Sequence, residues 1–186
     1  MKAREATANG DRPLGTPNQV GLWELIKEDK ATNQESLLRP GFHAMLMYRL
    51  GHWADEAPHR RRPVLWLAKA LRLFVRNFYG IEMYWGGRIG RRLVIGHQGA
   101  IVVHEFCTIG DDCVIRQGVT IGAADEFIAE DAPILGNNVD IGAGAIIVGK
   151  VRIGNNVRIG PNTVVTTDIA DNSTVLPPPS RVVSWG

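Results

Sequence analysis

The segment LVIGHQGAIVVHE, residues 93–105, contains a histidine whose setting could support acid–base chemistry. A run of strand-forming residues stops at Ile95, gives way to Gly-His-Gln-Gly, and resumes at Ile101. The histidine in this break, His97, has an unperturbed pKa of about 6.5, so it can accept or donate a proton at neutral pH. Taken alone, the segment leaves three roles open for His97: a turn residue, a metal ligand or a catalytic base.

The elements that must position His97 follow a period of six residues. After Gly80, aliphatic residues recur every sixth position, and a second set of small or aliphatic residues lies four positions later in each unit. An α-helix would lose this register within two units, because its period is 3.6. The pattern predicts a solenoid of very short strands joined by tight turns. The first ladder is Ile89, Ile95, Val103, Ile109, Ile115, Ile121, Leu135, Ile141, Ile147, Ile153, Ile159 and Val165, and the second is Cys107, Cys113, Val119, Val139, Ala145, Val151, Val157 and Thr163.

Two departures from the period indicate where function would be located, because a regular solenoid is a scaffold. Ile95 and Val103 are eight residues apart instead of six, so two extra residues bulge out around His97. Ile121 and Leu135 are fourteen residues apart where twelve would continue the coils. The polar and acidic segment AADEFIAEDAP in this second break is predicted to protrude as a loop.

The first part of the chain has helical spacing instead. Residues 1–19 are polar and are predicted to be disordered. From residue 20 to 80 the pattern predicts three helices, the third beginning near Pro63. The predicted organisation continues with a β-helix over residues 81–168 and a C-terminal tail over 169–186.

Composition excludes several classes of function. A formal net charge of +2 is too small to indicate a nucleic-acid partner. The chain has no apolar run of about 18 residues and no secretory signal at its N-terminus, which predicts a cytoplasmic protein. The repeated IGxG and IGxN turns are structural glycines, and no P-loop or dinucleotide motif is present. Cys107 and Cys113 lack a CxxC spacing and are expected to be buried free thiols.

The hexads IGRRLV, IGDDCV, IGAGAI, IGNNVR and IGPNTV resemble those of the hexapeptide-repeat acyltransferases. The segment GFHAMLMYRLGHW, residues 41–53, and the PPPSRVV near the end resemble serine acetyltransferase in particular. The resemblance implies a left-handed parallel β-helix with three hexads per coil, acetyl-CoA as the acyl donor, no metal, and a homotrimer with sites between chains. The helical part is shorter than is usual in that family.

By the same resemblance, His97 is the general base of an acyl transfer. An alcohol is too weak an acid to attack a thioester unaided, and such a base commonly contributes about 10²–10⁴ in rate. Fifteen residues earlier, where the family has an aspartate that orients the histidine, this chain has Glu82. An exposed glutamate ahead of the first coil is the alternative for Glu82.

The acceptor-binding positions depart from the family pattern. Gly96 stands where an aspartate is typical, and the family's Arg-His pair aligns with Asp131 and Ala132. Asp29 loosely matches a serine-contacting aspartate, with a solvated helix end as the alternative. Together with IGHQGAIVVH and IRQGVTIG, these departures favour the polysaccharide-associated branch of the family and a sugar hydroxyl as acceptor. Serine is the alternative acceptor.

Further site residues are implied by the resemblance alone. His104 and Glu105 are predicted acceptor contacts, although a surface turn is equally compatible with His104. Two arginines are candidates for the coenzyme A phosphates because of their charge and fork geometry, although surface arginines are common on solenoids. The predicted coenzyme A contacts are Gly122, Gly142, Ala143, Ala145, Arg158 and Arg181.

Three hypotheses from other classes remain. The β-helix could be a non-catalytic scaffold, although a scaffold gains nothing from the bulge at His97. It could be a zinc enzyme using His97 and His104, although no third matching histidine lies in the coils. The basic, amphipathic segment HRRRPVLWLAKALRLFVRN, residues 59–77, could bind a membrane surface, or it could pack on its own domain with its arginines outward.

Overall fold

The computed structural model describes residues 20–125, 128 and 131–184. The disorder predicted for residues 1–19 concerns a segment outside the described residues. Within them, three helices come first: α1 (Leu22–Thr32), α2 (Pro40–Asp55) and α3 (Arg62–Tyr79). Both α2 and α3 have a proline in their first turn, where its missing N–H costs nothing. α3 ends at Gly80, whose φ of 62° lies in the left-handed region that glycine adopts readily.

Short strands fill the rest of the described chain and form three parallel sheets. Sheet A contains β1, β4, β7, β10 and β13, sheet B contains β2, β5, β8 and β11, and sheet C contains β3, β6, β9, β12 and β14. The chain visits A, B and C in turn, which confirms the predicted parallel β-helix with three strands per coil, and the hexapeptide repeats fit its left-handed form. The strands are β1 (Ile81–Met83), β2 (Arg88–Ile89), β3 (Val94–Ile95), β4 (Ile101–Val103), β5 (Thr108–Ile109), β6 (Val114–Ile115), β7 (Thr120–Gly122), β8 (Ile134–Leu135), β9 (Asp140–Ile141), β10 (Ile146–Val148), β11 (Arg152–Ile153), β12 (Arg158–Ile159), β13 (Val164–Val165) and β14 (Thr174–Val175).

Both predicted ladders face the interior of the coils. Every member of each ladder is buried, and equivalent residues pair in register, as Ile109 does with Leu135. Cys107 and Cys113 are free and buried, and burial raises the pKa of each thiol to about 12. At neutral pH they are uncharged packing residues.

The solenoid continues past residue 168, where the sequence predicted its end. Ile169 bridges to Ile153 in sheet B, and β14 pairs with β12 in sheet C. Ile169 follows Val165 by four positions instead of six, so the period of six is lost although the coil goes on. The predicted boundary relied on that period and therefore came too early.

The helical part is docked directly on the first coil. A Cβ placed on Gly41 of α2 would lie 2.6 Å from Asn33 Oδ1 and 2.7 Å from Ile95 O. The Asn33 side chain joins the end of α1 to β3, donating to Leu93 O (3.1 Å) and accepting from Ile95 N (3.2 Å). These contacts fix the connection between α1 and α2 beside β3.

Candidate active site

The coils are triangular, and two of their corners contain the predicted site residues. The C–A corner, where the chain passes from sheet C to sheet A, comprises residues 96–100, 116–119, 142–145 and 160–163. Backbone hydrogen bonds of 2.9 Å make this corner continuous from coil to coil, from Gly118 N to Gly99 O, from Gly144 N to Gln117 O and from Asn162 N to Ala143 O. The A–B corner, where the chain passes from sheet A to sheet B, comprises residues 84–87, 104–107, 123–125, 128, 131–133, 149–151 and 166–168 of the described chain.

His97 lies at the first level of the C–A corner. The bulge inferred from the spacing is present, and it uses positive φ at Gly99 (106°) and at Ala100 (51°). Positive φ at a residue with a Cβ is unfavourable and tends to persist where the surrounding structure enforces it, often at functional sites. The imidazole of His97 is exposed and forms no hydrogen bond with the described residues. Both ring nitrogens are therefore available to a substrate.

A pocket of about 70 Å³ lies beside His97, between the first coil and the helical part. Residues 94–98 form one side of it, and Asn33, Gln34 and residues 39–41 form the other. Among these lining residues Arg39 carries the only permanent charge. Sequence reasoning missed Arg39, because it belongs to a polar connection with no repeat or motif.

Glu82 lies near this corner but is not joined to His97. It sits on β1 in register with Val102 of β4, which follows the bulge. Its Oε2 is 3.5 Å from Nε of Arg76, and both side chains are about half exposed. No hydrogen bond in the described chain connects Glu82 with His97, so the structure does not form the contact inferred from the resemblance.

Asp29 has a structural role that differs from both sequence-based interpretations. Its side chain is only 1% exposed, so it is neither a solvated helix end nor open to an acceptor. Arg49 donates to both of its carboxylate oxygens, at 2.8 and 3.3 Å, and also to the carbonyls of Ile89 and Gly90. The predicted substrate contact is therefore replaced by a buried ion pair that ties α1 and α2 to the end of β2.

The other predicted acceptor contacts lie at the A–B corner, at the far end of β4 from His97. β4 has three residues, which separates the two corners by about 10 Å. His104 Nδ1 accepts from Phe106 N at 3.4 Å, as in a local turn, and Glu105 lies next to it. Asp131 closes its loop by donating its N–H to Ile128 O. One chain alone does not bring these residues to His97.

The predicted coenzyme A contacts are divided between several places. Gly142 and Ala143 lie on the same corner as His97, two levels along, which is about 10 Å at the usual strand spacing. Gly122 ends β7 at the A–B corner instead. The prediction for Ala145 is corrected in one respect, because its side chain is fully buried in the coil and offers a ligand no side-chain contact.

The two arginines predicted to meet the coenzyme A phosphates are both exposed. Arg158 lies on the outer face of sheet C, in register with Asp140. Arg181 lies in the tail after β14, and its side chain makes no hydrogen bond or ion pair with the described residues. Both guanidinium groups are therefore open to an anion.

The zinc hypothesis finds no support in the described chain. His97 and His104 are held apart by β4, and no three His, Cys, Asp or Glu side chains of the described residues group as metal ligands. No described helix is long and apolar enough to cross a membrane.

Comparison with known proteins identifies relatives over most of the chain. Residues 132–167 match the family described as bacterial transferase hexapeptide (six repeats). Serine acetyltransferase of Helicobacter pylori (strain ATCC 700392 / 26695) is 39% identical over 166 residues, covering 88% of this chain and 94% of the relative. That of Bacillus subtilis (strain 168) is 34% identical, covering 87% of this chain and 77% of the relative.

Solved structures agree with these relatives. Serine acetyltransferase of Neisseria gonorrhoeae superposes with a TM-score of 0.73 at 27% identity, covering 88% of this chain and 66% of that chain. The enzyme of Brucella abortus strain S19 in complex with coenzyme A gives 0.69 at 26%, covering 87% and 66%. The isoform 3 enzyme of Entamoeba histolytica with cysteine gives 0.70 at 27%, covering 88% and 61%. The chain thus spans about two thirds of these solved chains, and none of these relatives supports the polysaccharide-associated branch.

Proposed function

This chain belongs to the serine acetyltransferase family and is an acyltransferase, and from that premise we propose that it transfers the acetyl group of acetyl-CoA to the hydroxyl of L-serine. The observation that carries the proposal is the exposed imidazole of His97 on a strained bulge at the edge of a small pocket. The relatives that cover most of the chain are serine acetyltransferases, which favours L-serine over a sugar hydroxyl as the acceptor. The acceptor favoured from the sequence is therefore replaced by the alternative.

The reaction needs one base and one path for the proton. His97 takes the hydroxyl proton as the serine oxygen bonds to the thioester carbonyl carbon. When the C–S bond breaks, the imidazolium returns the proton to the departing sulfur, so that coenzyme A leaves as a thiol. The C–A corner around Ala143 would hold the pantetheine arm, and Arg158 and Arg181 would meet the phosphates.

Glu82 is proposed as the positioning residue for His97. Its present partner is Arg76, in an exposed ion pair of a kind worth about 0–1 kcal/mol. Exchanging that partner for an imidazolium therefore costs little, and a carboxylate on the far ring nitrogen would stabilise the charged histidine.

A homotrimer is proposed because it would place the A–B corner of one chain next to the C–A corner of another. The outer face of sheet A carries Val102, Ile146 and Val164, which are 37, 36 and 63% exposed in one chain. An apolar stripe of this kind favours burial against another chain. If sheet A of each chain faces a threefold axis, the C–A corner of one chain meets the A–B corner of its neighbour. His104, Glu105 and Asp131 would then join His97 across the interface.

The test is acetyl-CoA turnover with L-serine, followed by thiol release. His97→Ala is expected to lower kcat by about two orders of magnitude or more, with the KM for acetyl-CoA unchanged, because a transition-state role is removed. His59→Ala is the matched control, since His59 is also exposed but lies in the connection between α2 and α3. A loss of tenfold or less in His97→Ala would reduce His97 to a turn residue.

One observation favours a second acceptor class, a sugar hydroxyl. Gly96 offers no carboxylate, and Ala132 is buried at 5% exposure and cannot contact an acceptor. Hexoses and glycosides therefore belong in the same assay. If a glycoside is acetylated and serine is not, the acceptor is a sugar hydroxyl, and the role of His97 is unchanged.

A further inference from the structure

We propose that Arg39 binds the carboxylate of the acceptor and thereby determines specificity for small hydroxy acids over neutral alcohols. This inference rests on the proposed function, because it assigns the pocket beside His97 to the acceptor. Arg39 and His97 line that same pocket from opposite sides, one from the helical part and one from the bulge. An acceptor held by Arg39 would thus lie next to the base.

The guanidinium of Arg39 is free to take a ligand. Its side chain is exposed and makes no ion pair or hydrogen bond within the described residues. The other arginine near the bulge, Arg116, differs in this respect. Its Cγ is 3.8 Å from where a Cβ on Gly96 would lie, but its guanidinium is paired with Asp140 and donates to Ile141 O at 3.1 Å. Arg39 is therefore the cation of this region that an acceptor can use.

The connection that carries Arg39 is held in place. Asn33 anchors its start to β3, and the next two residues, Gln34 (φ 67°) and Glu35 (φ 53°), both adopt positive φ. Positive φ at two consecutive residues that carry a Cβ is energetically costly, and it persists only where the surrounding structure enforces it. Pro40 then fixes the start of α2. Arg39 is consequently presented to the pocket by a constrained segment.

Arg39 would also compensate for a charge that the chain lacks elsewhere. Asp131 and Ala132 stand where an arginine and a histidine are expected from the family pattern, so no cation is supplied there. A guanidinium presents a planar fork that matches a carboxylate and can donate two parallel, charge-assisted hydrogen bonds to it. The charge would thus come from the helical part instead of the extended loop.

The test compares Arg39→Gln with Arg62→Gln. Arg62 is the matched control, because it is also exposed and also precedes a proline at the start of a helix. The side chain of Arg39 makes no capping hydrogen bond, so its replacement removes no cap from α2. Melting temperatures of both variants are expected to equal that of the wild type.

In Arg39→Gln the KM for L-serine is expected to rise by about ten- to hundredfold, with kcat at saturation within about threefold. The KM for serinamide, which lacks the carboxylate, is expected to stay unchanged. Arg39→Lys keeps the charge but lacks the planar fork, so its KM for L-serine is expected to lie between those of the wild type and Arg39→Gln. An unchanged KM for serine in Arg39→Gln, or an equal rise for serine and serinamide, would overturn the proposal.

Failure of the proposed function can be distinguished from failure of this inference. If the wild type turns over no serine, the proposed function fails, and Arg39 is then judged by calorimetric binding of L-serine and D-glycerate in the presence of coenzyme A. Binding to the wild type and Arg62→Gln that is lost in Arg39→Gln upholds the carboxylate site. Equal binding to all three proteins, or binding to none, refutes it.

Discussion

Replacing Arg49 with methionine is expected to lower the free energy of unfolding by about 3–5 kcal/mol, because the change leaves a buried charge without its partner. Arg49 and Asp29 are 4% and 1% exposed, and the guanidinium is the only side chain of the described residues that bonds the carboxylate. Two backbone carbonyls, of Ile89 and Gly90, lose their donor as well.

The cost of this substitution is expected to depend on pH. Burial raises the pKa of Asp29, and the hydrogen bonds from Arg49 oppose that rise. In Arg49→Met the opposing effect is gone, so the pKa of Asp29 in the folded state rises further above its ordinary value of 3.8. A folded-state pKa above the unfolded one means that stability is present at low pH and is lost as pH rises. The variant should therefore lose more stability relative to the wild type at pH 7 than at pH 5.

The assay is urea unfolding at one fixed protomer concentration, because association would add to stability. Arg49→Met, Asp29→Leu and the double variant complete a cycle at both pH values. The double variant is expected to recover most of the loss, since well-packed apolar residues can replace a buried pair. A cost below about 1 kcal/mol for Arg49→Met, or a double variant equal to the sum of the singles, would refute the role of the pair.

Three further changes test the docking of the helical part, the assembly and the positioning of the base. Gly41→Ala places a methyl group 2.6 Å from Asn33 Oδ1 and 2.7 Å from Ile95 O, so it is expected to cost about 1–3 kcal/mol in urea unfolding. Gly122→Ala is the control and is expected to cost little, because its Cβ would meet no atom closer than 3.9 Å. Val164→Lys on sheet A is expected to yield monomers in light scattering and to abolish thiol release. Thr174→Lys on sheet C is the control and is expected to change neither the oligomeric state nor thiol release. Trimers in both variants would exclude sheet A as the interface. Glu82→Gln is expected to lower kcat less than His97→Ala does. Activity equal to that of the wild type would show that Glu82 does not position His97.

The solenoid could be predicted from the sequence because its physics is local and repetitive. Each coil stacks like side chains on their equivalents, so the period of six appears directly in the positions of aliphatic residues and glycines. A break in a strict period is equally visible, which is why the bulge at His97 could be located by counting. The period fails between Val165 and Ile169, and the predicted end of the β-helix was wrong there for the same reason.

The helical part could not be interpreted in this way, because its contacts join residues far apart in the chain. Asn33 bonds to Leu93, sixty residues later, and that contact decides which residues face the pocket. Asp29 shows the same difficulty, since its residue type fits a binding site, a solvated helix end or a buried pair. Only the position of Arg49 on the neighbouring helix distinguishes these roles.

The acceptor shows where comparison by aligned position is weakest. The departures at Gly96, Asp131 and Ala132 argued against an amino acid, because each removes a group expected to hold one. That inference assumes that the same positions always supply the charges of the pocket. Here the pocket beside His97 has a second wall from the connection between α1 and α2, and this wall carries an arginine that no repeat or motif marks. The cation lost from the loop and the cation carried by this wall act in opposite directions on the binding of a carboxylate, so the two sets of departures have to be weighed together before an acceptor is excluded.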